Sequence, residues 1–146
     1  MKRLQITAFL VCTILAMAGC LENTGSDPIE VVEPSGSADY YINNQSSENL
    51  NVTYRILGNS SDSLKAILQD SSTKIYRDAS FGSNPSPATS FGKIVFYIGE
   101  PDTARPALTI DPVEDDAWSI TKEKGFEDSK YGFRVYELVI TNEDVQ

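Results

Sequence analysis

The sequence predicts an all-β fold, an antiparallel immunoglobulin-like β-sandwich of about seven or eight strands, with a small β-barrel as the alternative architecture. Three observations carry this. From Asp39 onward apolar residues fall in short runs with a period of two, the spacing that sends alternate side chains to opposite faces of a strand. Clusters of Gly, Pro, Asn, Asp and Ser punctuate those runs. None of the seven prolines falls inside a predicted strand, as ladder hydrogen bonding requires.

Tyr40-Tyr41-Ile42 opens the domain, and Asn43 to Ser47 closes this first run. Leu50 to Ile56 alternates cleanly, with Leu50, Val52, Tyr54 and Ile56 inward and Asn51, Thr53 and Arg55 outward. Residues 62–69 fit two patterns. Leu64, Ile67 and Leu68 suit a helical turn, whereas Leu64, Ala66 and Leu68 suit a strand, the favoured reading because Asp70-Ser71-Ser72 forms a turn into Lys74 to Arg77. Phe81 to Ser90 is a loop, since Pro85 and Pro87 at alternate positions prevent pairing. Phe91 to Ile98 is a core strand with Ile94, Phe96 and Ile98 inward, followed by a turn at Glu100-Pro101-Asp102. Leu108 and Ile110 form a short strand, and Trp118 and Ile120 face inward from another. Lys122 to Lys130 reads as a charged loop. In the last strand, Tyr131 to Thr141, Phe133 and Val135 share one parity and Leu138 and Ile140 the other, which predicts a β-bulge or a change of packing partner near Tyr136-Glu137. Asn142 to Gln146 reads as a frayed acidic tail.

Ahead of this domain, Met1-Lys2-Arg3 gives a short positive start and Leu4 to Ala18 a mostly apolar run of 15 residues. That run is shorter than the roughly 20 residues a spanning helix needs and matches the apolar region of a signal peptide. Met17-Ala18-Gly19-Cys20 at its end resembles the lipobox of bacterial lipoproteins, with Met in place of the preferred Leu. The resemblance implies cleavage between Gly19 and Cys20, a thioether-linked diacylglycerol on Cys20, and acylation (palmitate) of the new amino terminus. Leu21 rather than Asp beside the lipidated Cys implies the outer rather than the inner membrane in a Gram-negative cell. Three acyl chains suffice for a lasting anchor, given about 0.8 kcal/mol per buried methylene. Residues 1–19 are therefore expected to be a signal peptide, 20–37 a lipidated, disordered tether with Ile29 to Val32 as a possible edge strand, and 38–146 the β domain. The domain, with Tyr131-Gly132-Phe133-Arg134-Val135-Tyr136-Glu137-Leu138-Val139-Ile140 near its end, is also similar to small bacterial lipoprotein domains of uncharacterised activity, which implies no function.

Charge and residue inventory narrow the chemistry. Loss of residues 1–19 leaves 146 − 19 = 127 residues, and loss of Lys2 and Arg3 leaves 10 basic against 21 acidic residues, a net charge of −11. Such a chain is repelled by phosphate backbones and anionic head groups, which argues against nucleic-acid binding. Cys12 lies in the signal, so the mature chain has one Cys and no internal disulfide, and stability must come from an apolar core. The sequence has no His, which removes the commonest general base and transition-metal ligand. No cofactor is expected.

Asp111, Glu114, Asp115 and Asp116 form the densest acidic cluster and are weak candidates for Ca²⁺ ligation, since their spacing departs from a calcium-loop pattern and also suits a solvated turn. Phe81, in a Gly/Asn/Pro loop that gives it little to pack under, and Tyr97 are candidate partner contacts, whereas Tyr40, Tyr41 and Tyr76 read mainly as packing residues. The leading reading is a non-enzymatic, lipid-anchored binding or assembly module of the envelope, attached to the membrane through its lipid and contacting an envelope protein or glycan. The alternatives are a Ca²⁺-dependent adhesive or structural module and a carboxylate-based hydrolase.

Overall fold

The computed structural model describes residues 35–126 and 130–146. Its elements are β1 (Ser35–Asn44), β2 (Leu50–Ile56), β3 (Asp62–Ile67), β4 (Ser71–Phe81), a helical turn α1 (Pro87–Ser90), β5 (Phe91–Ile98), β6 (Pro106–Ile110), a 3₁₀ turn (Asp115–Ala117), β7 (Ser119–Gly125) and β8 (Gly132–Ile140). The expected signal peptide (residues 1–19), Cys20 and the Ile29 to Val32 stretch lie outside the described residues. The strands form two four-stranded sheets, order β4-β1-β8-β7 (sheet I) and β3-β2-β5-β6 (sheet II). Both sheets keep free edges, so the architecture is a sandwich-like pair of open sheets and the barrel alternative fails. Nor is the pairing antiparallel throughout, because β1 and β8 run parallel.

Two of the elements follow directly from their sequence. β2 buries Leu50, Val52 and Tyr54 on one parity and leaves Arg55 exposed. β5 starts and ends where its apolar run does, with Phe91, Ile94 and Phe96 fully buried. Ile98, expected inward, is 41% exposed, although Leu50 and Ile67 in its row are buried; β6 pairs with β5 only as far as Tyr97 and leaves Ile98 without a neighbour on that side. Residues 62–67 form a strand, but not with the predicted face. Ile67 is buried beside Leu50, while Leu64 and Leu68 are 54% and 65% exposed.

Four expected loops or tails carry structure instead. β1 begins at Ser35, within the predicted tether. Gly36 makes this possible: its N–H donates to the Ser83 carbonyl at 3.0 Å, and a Cβ at position 36 would lie 2.4 Å from that oxygen. β7 continues through Lys122-Glu123-Lys124, expected as loop, and all its residues are exposed, including Ile120 at 49%. An edge strand outside the overlap of the two sheets has no apolar face to bury, and its charges discourage further pairing. Within the predicted Phe81 to Ser90 loop, Phe81 closes β4 and Pro87 opens α1, whose entry is fixed by the Ser86 N–H donating to Thr89 Oγ1 at 2.9 Å. At the C terminus, Thr141 N–H and hydroxyl both donate to Asp144 Oδ2 at 2.8 Å, and Val145 is buried, so the tail is folded back rather than frayed.

The bulge expected in β8 is absent there: its register with β1 runs unbroken from Phe133 to Ile140. The extra residue is Thr121 on the partner strand, between Ile120 opposite Tyr136 and Lys122 opposite Val135. Tyr136, Leu138 and Ile140 therefore all face the core, and Phe133 and Val135 face outward. A second irregularity, at Ile75 in β4, lets both Ile75 and Tyr76 pack against the core.

Aromatic rings form the centre of the core. Tyr40 from β1 meets Phe91 of β5 edge-on at 4.9 Å, Trp118 edge-on at 5.9 Å, and Tyr136 of β8 in a stack at 5.5 Å. Trp118 also stacks on Phe91 at 6.0 Å, and its buried Nε1 has no hydrogen-bond partner among the described residues. The Tyr40 hydroxyl is 2.7 Å from Ser90 Oγ, which in turn donates to Asp78 Oδ2 at 2.6 Å. This chain satisfies the phenol inside an apolar site, and burial pushes its pKa upward.

At the opposite end of the sandwich, Asn44 is fully buried. Its amide nitrogen donates to the carbonyls of Glu48 (2.8 Å) and Leu68 (3.2 Å), and its oxygen accepts from the Ser46 N–H and hydroxyl. One side chain thus closes the β1–β2 loop and ties it to the end of β3. Asn44→Ala should lower the free energy of unfolding by about 2–4 kcal/mol, because several buried carbonyls and donors lose their partner at once. Urea denaturation checks this, with the midpoint falling and the slope unchanged.

Candidate functional site

One candidate surface is the outward face of sheet II. Directly opposed residues in adjacent strands share a face, and three rows cross this one. Asp62, Arg55 and Lys93 form a charged row, continued by Asp111, 4.0 Å from the Lys93 ammonium. Leu64, Thr53, Val95 and Thr109 form the next, and Ala66, Asn51, Tyr97 and Pro106 the third. Pro106 fits as the first residue of an edge strand, where no ladder donor is needed.

Between these rows lies a depression of about 90 Å³ lined by Thr53, Arg55, Asp62, Lys93, Val95 and Tyr97. Enclosed sites for small organic ligands run to roughly 300–1,000 Å³, so this hollow suits a protruding group on a partner rather than a whole enclosed substrate. Arg55 Nε donates to Asp62 Oδ1 at 2.7 Å. That hydrogen bond holds the Asp62 carboxyl below the usual carboxylate range and raises the guanidinium pKa. Both groups are about half exposed, so the pair orients the guanidinium more than it holds the fold together. The Asn51 amide donates to the Gly99 carbonyl at 2.9 Å and anchors the β5–β6 turn beside Tyr97. The face therefore offers an aromatic ring, aliphatic side chains and a fixed cation–carboxylate pair within one depression.

The outward face of sheet I is organised differently. Asp39, 5% exposed, accepts from Arg77 through both carboxylate oxygens, the Nη2 contact being 2.7 Å, and from Lys74 at 3.4 Å. The Arg77 guanidinium also lies over the Phe133 ring, 5.9 Å from its centre. The hydrogen bond from Arg77 holds the Asp39 carboxyl below its ordinary value, against the opposing push of burial, with Lys74 adding to the lowering.

The structure separates the predicted contact residues. Tyr97 lies on the face of sheet II, within the depression. Phe81, 76% exposed, ends β4 opposite Ser35 and belongs to sheet I. Within the acidic cluster Asp115 Oδ1 accepts from the Ala88 N–H at 2.8 Å, and Asp111 Oδ2 lies 4.0 Å from the Lys93 ammonium. Among the described residues no group of three or more His, Cys, Asp or Glu side chains is placed to hold a metal ion. Sequence reasoning missed the charged row, because Arg55, Asp62 and Lys93 are separated in the chain and meet only through the β3-β2-β5 register. No family model, curated protein or solved structure matches the chain.

The Asp39 shift gives a pH dependence whose sign is fixed. Its carboxyl titrates lower in the folded than in the unfolded chain, so the associated stability is complete above the unfolded value, about 3.9, and is lost as pH falls through the folded value. Plots of unfolding free energy against pH should therefore rise less steeply just below about pH 4 in Asp39→Asn than in the wild type. Parallel plots for the two proteins would show that the ion pair does not contribute.

Proposed function

We propose that the protein is a lipid-anchored bacterial envelope protein whose immunoglobulin-like β domain is a non-enzymatic binding or assembly module. The single observation that carries the reading is Met17-Ala18-Gly19-Cys20 at the end of a short apolar run behind Lys2-Arg3. In this reading Cys20 becomes the acylated amino terminus, and residues between it and Ser35 hold the domain beside one membrane, the outer one in a Gram-negative cell. The domain then meets an envelope protein or glycan through the outward face of sheet II. Tyr97 supplies apolar contact there, with the largely buried Val95 at the floor of the depression, and Arg55, Asp62, Lys93 and Thr53 supply hydrogen bonds around it. An aromatic ring ringed by oriented polar groups is the composition of an interface centre, where Tyr and Arg dominate binding energy.

Mass spectrometry of the native N-terminal peptide tests the anchor. A diacylglyceryl, N-acylated Cys20 is expected, and Cys20→Ser should leave the chain unprocessed at Gly19. An unmodified Cys20, or wild-type protein released into the medium, overturns the reading.

A photo-crosslinking residue tests the face. At position 97 it should capture a discrete envelope component in living cells, and at position 137, on sheet I, it should not. Equal capture at both positions would remove sheet II as the contact surface.

A further inference from the structure

We infer that the outward face of sheet I is a docking surface for the anionic head groups of the membrane to which the chain is tethered. This rests on the lipid-anchor reading above and adds an orientation to it. The strand register sends Lys74 and Arg77 of β4 and Lys122 and Lys124 of β7 to this one face, with Asp39 and Glu137 as its carboxylates. The balance is 4 − 2 = +2 on one face of a chain whose net charge is −9, or −11 without residues 1–19. Asp39 is buried beneath Arg77 and Lys74, so it presents little negative charge to an approaching surface, while the Arg77 side chain remains 61% exposed.

Net charge alone predicts repulsion from such a membrane, but screening makes the local face decisive. The two outward faces of paired sheets are separated by roughly 20 Å, from about 10 Å between sheets and about 5 Å of side chain on each side. Physiological salt screens charges over about 8 Å. The cations of sheet I are therefore felt by a nearby surface more strongly than the acids on the other side of the domain.

Apolar groups accompany the cations. Phe133 and Val135 lie on the same face between β4 and β7. Phe81 ends β4 on the same parity, 76% exposed, directly opposite Ser35. Phe126, 43% exposed, follows β7 at the same end of the sheet. Ser35 is where the chain coming from Cys20, 15 residues earlier, enters the described domain. The exposed Phe81 and Phe126 thus flank the point closest along the chain to the lipid, and exposed Phe side chains on an interfacial surface enter the head-group and acyl boundary. Fifteen residues span at most about 50 Å, which keeps the domain within reach of the surface. A tethered domain docks intramolecularly, so a modest patch is enough. Docking through sheet I leaves the Tyr97 face of sheet II directed away from the membrane and open to a partner.

The test is amine-reactive footprinting of the native lipidated protein, reconstituted in phosphatidylglycerol and, separately, phosphatidylcholine vesicles. Lys74, Lys122 and Lys124 should be labelled at least about fivefold more slowly on phosphatidylglycerol, with Lys65 and Lys93 of sheet II unchanged. That difference should vanish in about 1 M salt, where screening acts over about 3 Å, and in the double variant Lys122→Glu, Lys124→Glu read at Lys74. Labelling of the two lysine sets that is alike on both vesicles, while the protein floats with them, overturns the docking and leaves the anchor intact. Protection of these lysines by an acidic protein rather than by the vesicle overturns the docking as well. Protein that fails to float with either vesicle overturns the anchor itself.

Discussion

The packing of Tyr40 is the interaction on which the rest of the structure depends. Its ring lies where the two sheets meet, against Phe91 of sheet II and Tyr136 of sheet I, with Trp118 closing the side between β6 and β7. Its hydroxyl reaches Ser90, at the junction of α1 and β5, and through it Asp78 of β4. A single residue of the central strand β1 therefore connects four parts of the chain through apolar contact and one satisfied polar group. The described residues contain no Cys, so no disulfide among them performs this task. Large aromatic surfaces are the remaining means of joining two sheets in a domain of this size, since each buries more area than any aliphatic residue.

β1 has a second role that explains the topology. It pairs antiparallel with β4 and parallel with β8, so the first and last described strands lie side by side at the middle of sheet I. The polar ends of that pair are sealed separately. Asn44 and the Ser47 to Asn142 bonds hold one end, and Gly36 and Gly132, which donate to Ser83 and to the Asn84 side chain, hold the other. At Gly132 a Cβ would sit 2.4 Å from the Lys124 carbonyl, so the strands could not approach as they do with any larger residue.

This division between buried and exposed strands decides what the sequence could reveal. β2 and β5 are central strands with a solvated outer face, so their alternation was readable. β7 was not readable, because an edge strand beyond the cover of the opposite sheet alternates nothing: Lys122, Glu123 and Lys124 are all exposed. The start of β1 was hidden for the opposite reason, as Ser35-Gly36-Ser37 has linker composition but is required by the close approach of the Ser83 carbonyl. In β8 apolar residues occupy both faces, which looked like a slip in register. The outward Phe133 is instead explained by the guanidinium of Arg77 above it. Val145, a lone apolar residue among acids, gave no periodic signal, yet it is buried.

The candidate surfaces show the same limit. Tyr97 and Phe81 stood out because single exposed aromatics are visible in a linear sequence, but only the fold places them on different sheets. The cations of sheet I are distributed over residues 74 to 124 and are brought to one face by three sets of strand pairings. Overall charge therefore does not describe the charge on each face. The pleat, which assigns each residue to one side, collects Lys74, Arg77, Lys122 and Lys124 on a single face of an acidic chain. The sandwich thereby gains two chemically distinct surfaces back to back, and the strand that carries the entering chain, β1, runs through the middle of the cationic one.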